Sequence, residues 1–70
     1  MPLILAPAGR AVKVIRILAE GDVRRHLENL GILVGAALER MEGGGGVIIV
    51  KVKDARLALD RGLAAKILVS

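Results

Sequence analysis

The sequence predicts a mainly β domain: a small, strongly bent barrel of five to six short strands, one α-helix at about 22–30 and one helical turn at about 61–65. Three observations predict it. Runs of Val and Ile recur with the two-residue alternation of half-buried strands, most clearly at 47–53. Only Asp22 to Leu30 shows a strong helical period, with apolar residues at 23, 27 and 30. Glycine-rich breaks separate these segments at intervals too short for two domains.

Taken in order, Leu3-Ile4-Leu5 is a candidate first edge strand, closed by the turn signal Ala6-Pro7-Ala8-Gly9. Residues 11–18 form a longer strand. Val12 and Val14 alternate with Lys13, the phase slips at Val14-Ile15, and Ile15 and Ile17 then flank Arg16. One extra residue in a strand is a β-bulge, a device for bending a small barrel. After Glu20-Gly21, Asp22 is placed to cap the helix with its carboxylate. Gly31 stands where a left-handed residue stops a helix, and Gly35 re-aims the backbone.

Residues 36–42 alternate ambiguously, because Leu38 and Met41 cannot share one strand face. The tetrad Gly43-Gly44-Gly45-Gly46 reads as a hairpin tip before Val47 to Lys53, where Ile48, Val50 and Val52 point one way and Lys51 and Lys53 the other. Asp54-Ala55 is a turn, Arg56 to Leu59 a strand with Leu57 and Leu59 inward, and Asp60 a cap for Arg61 to Ala65. Lys66 to Val69 closes the chain as a last strand. The nearest simple architecture is an SH3-like barrel spanning residues 1–70 as one domain.

Composition narrows the function. There is no cysteine, hence no disulfide framework and no thiolate metal site. The chain is 54% hydrophobic with no Phe, Tyr or Trp, so its core is purely aliphatic. That is more apolar surface than a domain of 70 residues easily hides, which points to an exposed patch that meets another molecule and, with unpaired strand edges, to self-association. The net charge of +4 comes from dispersed Lys and Arg with no run of three, the pattern of a solvated exterior. Nucleic-acid grooves and PxxP-binding grooves rely on aromatic platforms that this chain lacks. No run reaches the roughly 20 apolar residues of a membrane span, and residues 1–8 lack a basic region and are too short for a secretory signal. A cytoplasmic location is the expectation.

Catalysis finds little to work with. Ser70 is the only serine and stands last, and there is no Thr, Tyr, Cys or Gln. A nucleophile needs an oriented base within hydrogen-bond reach, which a terminal serine and a lone histidine do not offer. The glycine tetrad is no phosphate loop, since Val47-Ile48 follows where Lys and a hydroxyl residue are required. His26 lies about 60° off the helical apolar stripe, a boundary position. With Glu28, Asp22 or a second chain it is a weak metal candidate, because structural zinc wants four Cys or His ligands. The expectation is a non-enzyme with no required cofactor, open at most to a weakly bound divalent transition metal.

The order of motifs resembles the FeoA family, small cytoplasmic proteins of bacterial and archaeal ferrous-iron transport. The resemblance rests on Leu3 to Gly9, the Val/Ile strand, and Arg25-His26-Leu27-Glu28-Asn29-Leu30-Gly31-Ile32-x-x-Gly35. Val47-Ile48-Ile49-Val50 after the glycine tetrad, Leu57-Ala58-Leu59 and Gly62-Leu63-Ala64-Ala65-Lys66-Ile67 extend it over nearly the whole chain. The chain is also similar to the SH3-like C-terminal domain of iron-dependent repressors of the diphtheria-toxin-repressor (DtxR) type, although it has no helix-turn-helix segment to read DNA. It departs from the family at Val34, where proline often precedes the glycine, and at Arg40, commonly aliphatic, which implies a more solvated strand edge there.

The resemblance implies an SH3-like barrel that assists FeoB, the GTPase-bearing ferrous-iron permease, by contacting its cytoplasmic portion. It also brings a transition-metal-binding role whose only local support is His26 and scattered carboxylates, and with it an alternative: a metal-responsive module acting through self-association. Leu27, Leu30, Gly31 and Gly35 are the expected structural plug and stops. Ile32, Leu33 and Val34 follow the stop without an evident buried face and are the expected partner contacts.

Overall fold

A computed structural model describes residues 1–42 and 45–70. Among the described residues five strands form: β1 (Ala11–Ile17), β3 (Val47–Val52) and β5 (Ile67–Val69), rich in Val and Ile, and β2 (Ala37–Met41) and β4 (Ala55–Asp60), where Leu alternates with polar or small residues. They make one antiparallel sheet in the order β4-β3-β2-β1-β5, with β4 and β5 at its unclosed ends. Two helices interrupt them, α1 (Gly21–Asn29) and α2 (Arg61–Ala64). None of the described helices is long and apolar enough to cross a membrane.

The alternation of β3 holds, with Ile48, Val50 and Val52 buried. The bulge in β1 also holds. Val14 pairs with Val69 and Arg16 with Leu68, leaving Ile15 as the extra residue. Its consequence differs from the expectation, because Ile15 and Arg16 both face outward while Ile17 returns to the core. Consecutive β2 and β3 pair antiparallel, as a hairpin requires; Gly43 and Gly44 of the expected tip lie outside the described residues. Asp60 caps α2 as expected, its Oδ1 accepting from the Leu63 N–H at 2.7 Å.

Two local readings are corrected. Leu3–Leu5 is a 3₁₀ turn, not an edge strand: the Leu5 N–H donates to Pro2 O and the Ala6 N–H to Leu3 O. Pro2 has no N–H to offer a ladder, so pairing with β5 stops at one bridge to Leu68 beside the Met1–Val69 bonds. The cap of α1 is Glu20, which makes no side-chain cap bond, and Asp22 lies two residues further on, in the first turn, exposed and 3.5 Å from Arg25.

The core is aliphatic throughout, and its largest fully buried members are Leu3, Leu27, Ile32, Leu38 and Ile67. Arg40 is half-buried and does not stand on a solvated edge. β2 is an interior strand, and the Arg40 Nη1 donates to Ile4 O (3.1 Å) and Ala6 O (2.6 Å), tying the 3₁₀ turn to the sheet.

Candidate functional site

The end of α1 explains the surface beyond it. The Gly31 N–H donates to Glu28 O (3.0 Å) and the Ile32 N–H to Leu27 O (2.9 Å), with Gly31 at φ +91°. This pair of bonds is the Schellman stop, in which the residue after the glycine packs back on the last helical turn. Ile32 and Leu27 are accordingly both fully buried. Ile32, expected as a partner contact, is therefore without exposed surface and belongs with Leu27 to the core. Leu30, the helix C-cap, is only half-buried.

Past Ile32 the chain turns again. Leu33 O accepts from the Ala36 N–H at 2.9 Å, with Gly35 third in the turn at φ +94°. Positive φ at that position is the requirement of a type II turn, whose second position favours proline. Val34 occupies the second position, which puts an aliphatic side chain at the tip, 53% exposed. Leu33 beside it is 45% exposed.

The turn lies against the β1 bulge. Val14 O accepts from the Gly35 N–H at 2.8 Å, and the Val14 N–H donates to Ala36 O at 2.9 Å. The peptide joining Val14 to Ile15 is thus bonded to the peptide joining Val34 to Gly35, which brings Ile15 to the same edge. Ile15, 49% exposed, is thereby set in the backbone beside the exposed Leu33–Val34 turn as a candidate aliphatic patch, flanked in sequence by Lys13 and Arg16. Sequence reasoning missed Ile15, although the signal was present: an extra bulged residue has no partner opposite it and leaves the alternation.

An open groove of about 550 Å³ lies between α1 and α2, lined in part by Val23 and Leu63. Val23 was expected on the buried stripe, but a helix of nine residues reaches the core through Leu27 alone. Asp22, His26, Asp60 and Lys66 stand around this groove. The arrangement does not make a ready cage for a transition metal: among the described residues no three His, Cys, Asp or Glu side chains stand together as ligands. The ion pairs of α1, Arg24–Glu28 at 3.8 Å and Arg25–Asp22 at 3.5 Å, are exposed and contribute little.

Known proteins agree with the fold. The Fe(2+) transport protein A assigned in Methanocaldococcus jannaschii is 35% identical over 68 residues, 97% of this chain and 83% of that protein. A crystal structure of an iron uptake regulatory protein (FeoA) superposes with a TM-score of 0.88 at 31% identity, covering 99% of this chain and 93% of its own. The zinc complex of Stenotrophomonas maltophilia FeoA, described as a procaryotic SH3 domain protein, gives a TM-score of 0.86 at 25% identity, covering 100% and 89%. The chain also matches 44% of an iron(II) transport protein A from Clostridium thermocellum and 35% of the ScaR chain with bound Zn2+, at 22% and 20% identity, which shows the SH3-like fold alone. The FeoA domain model matches residues 1–70, and the chain belongs to the FeoA family.

Proposed function

We propose that this chain is a non-enzymatic accessory protein of ferrous-iron transport that docks on the cytoplasmic portion of a FeoB-type permease, with the iron as cargo. The observation that carries the reading is the match of the family model to every residue of the chain. The thin inventory of nucleophiles and bases supports a non-catalytic role. The patch of Ile15, Leu33 and Val34 supports docking, because exposed aliphatics held by a bulge and a tight turn need little reordering to bind.

The test is binding of the full chain to the permease's cytoplasmic domain in low salt. The expected result is association weakened about tenfold or more by Val34→Asp or Ile15→Asp, as when a charge enters the centre of an interface. Val34 is exposed in a turn, so Val34→Asp should change the fold by less than about 0.5 kcal/mol, and Ile15→Asp, in a strand, by about 1 kcal/mol. Unchanged binding by both variants would remove the patch from the interface, and absence of binding by the parent chain would refute the docking itself. The metal-responsive alternative predicts heat on titration with ferrous or zinc ion that His26→Ala abolishes.

A further inference from the structure

The two ends of the sheet are treated differently. Beside β5 the chain start forms a cover: the Val69 N–H donates to Met1 O and the Met1 amine to Val69 O, both at 2.7 Å, and Pro2 bridges to Leu68. Among the described residues no strand pairs with β4 on the side away from β3. Its six residues pair with β3 without interruption, so neither bulge nor proline nor lysine blunts this edge.

The hairpin register shows which backbone groups are free. Lys53-Asp54 is a two-residue loop closed by Val52 and Ala55. Such a loop is closed by a hydrogen-bonded pair, and bonded pairs alternate from there. Ala55, Leu57 and Leu59 therefore direct their N–H and C=O groups to β3, while Arg56, Ala58 and Asp60 direct theirs away from the sheet. The same three residues have exposed side chains, and Leu59 is buried.

We propose that β4 is a self-pairing edge, on which a second copy of this chain adds its own β4 antiparallel about a two-fold axis at Ala58. In that register the residues with free backbone groups meet each other: Ala58 faces Ala58, and Arg56 of each copy faces Asp60 of the other. Opposite charges directly across an antiparallel pair attract, and they occur here twice by symmetry. Moving the axis two residues toward the loop sets Arg56 against Arg56. Moving it two residues the other way sets Asp60 against Asp60 and runs off the strand. The axis at Ala58 is the register that bonds three residues of each copy and pairs both charges, with the smallest side chain at the axis.

The groups involved are available. Among the described residues Arg56 is in no ion pair. Asp60 uses Oδ1 on the Leu63 N–H, which leaves Oδ2 for a guanidinium. Ala64 is fully buried, so α2 turns over the core after Asp60 instead of continuing along the edge.

The experiment follows amide hydrogen exchange by NMR on the full chain from tens of micromolar to millimolar, with sedimentation equilibrium on the same samples. Self-pairing predicts a monomer–dimer equilibrium and several-fold slower exchange at Arg56, Ala58 and Asp60 as concentration rises. Ala58→Pro removes an outward N–H at an edge position where proline is tolerated, and should leave a folded monomer. Should that variant fail to fold, Arg56→Asp carries the test, weakening dimerisation several-fold by placing like charges opposite. A strict monomer at millimolar concentration overturns the proposal, as does a dimer that survives both variants. Protection at Ala58 only after the permease domain is added would assign the edge to that partner instead.

Discussion

Ile32 offers the sharpest test of how the end of α1 is built. Truncation to alanine removes three carbons from a side chain with no exposed surface, packed by the Schellman stop against Leu27. At about 0.8 kcal/mol per buried methylene the transfer loss is roughly 2.4 kcal/mol. A residual cavity brings the expected cost to about 3 kcal/mol, inside the range for buried Ile-to-Ala changes. A domain of 70 residues holds roughly 3.5–10 kcal/mol in total, so this one change takes a third or more of it. At about 4–8 °C per kcal/mol for a domain of this size, the midpoint should fall by roughly 12–24 °C. With no aromatic residue, the melt must be followed by far-UV circular dichroism or calorimetry. Val34→Ala, two residues away on the exposed tip, should cost less than about 0.5 kcal/mol. A loss at Ile32 below about 1 kcal/mol, or an equal loss at Val34, would refute the division of this loop into a buried half and an exposed half.

Two further predictions concern the same region and the 3₁₀ turn. Gly31 and Gly35 have nearly the same φ, +91° and +94°, but a Cβ at Gly31 would stand 3.2 Å from Val52 Cγ1, while at Gly35 it meets nothing within 4 Å. Gly35→Ala should cost about 1–2 kcal/mol of backbone strain and Gly31→Ala measurably more, read from urea midpoints; equal costs would show that the contact with Val52 is relieved freely. Arg40→Met should release the carbonyls of Ile4 and Ala6, cost about 1–3 kcal/mol, and speed amide exchange at Leu5 and Ala6 ahead of the sheet. Unchanged exchange there would mean that the burial of Leu3, not Arg40, holds the turn.

What was legible in the chain was local. Period-two alternation placed β3, the phase slip placed the bulge, and Asp60 announced the cap of α2, because each is decided by neighbours within a few residues. The misreadings share one cause: direction. Leu3-Ile4-Leu5 is apolar enough for a strand, but Pro2 denies it a ladder partner. Ile32 looked free because no period covers it, although the glycine before it already specified a stop that folds the next residue inward. Val23 belongs to a helical stripe by sequence, yet the helix meets the core at one residue only.

The sequence by itself therefore determined the fold class, most of the strands, the family and two of the three residues of the candidate patch, Leu33 and Val34. These rest on periodicity, turn chemistry and motif order, which are written along the chain. Only the tertiary structure decided that Ile32 is core and that Ile15 completes the patch. The bond from the Gly35 N–H to Val14 O joins segments with α1 between them. It likewise took the sheet order to show that β5 is covered and β4 open. Which edge is free depends on where strands distant in sequence come to rest, and no local pattern carries that information.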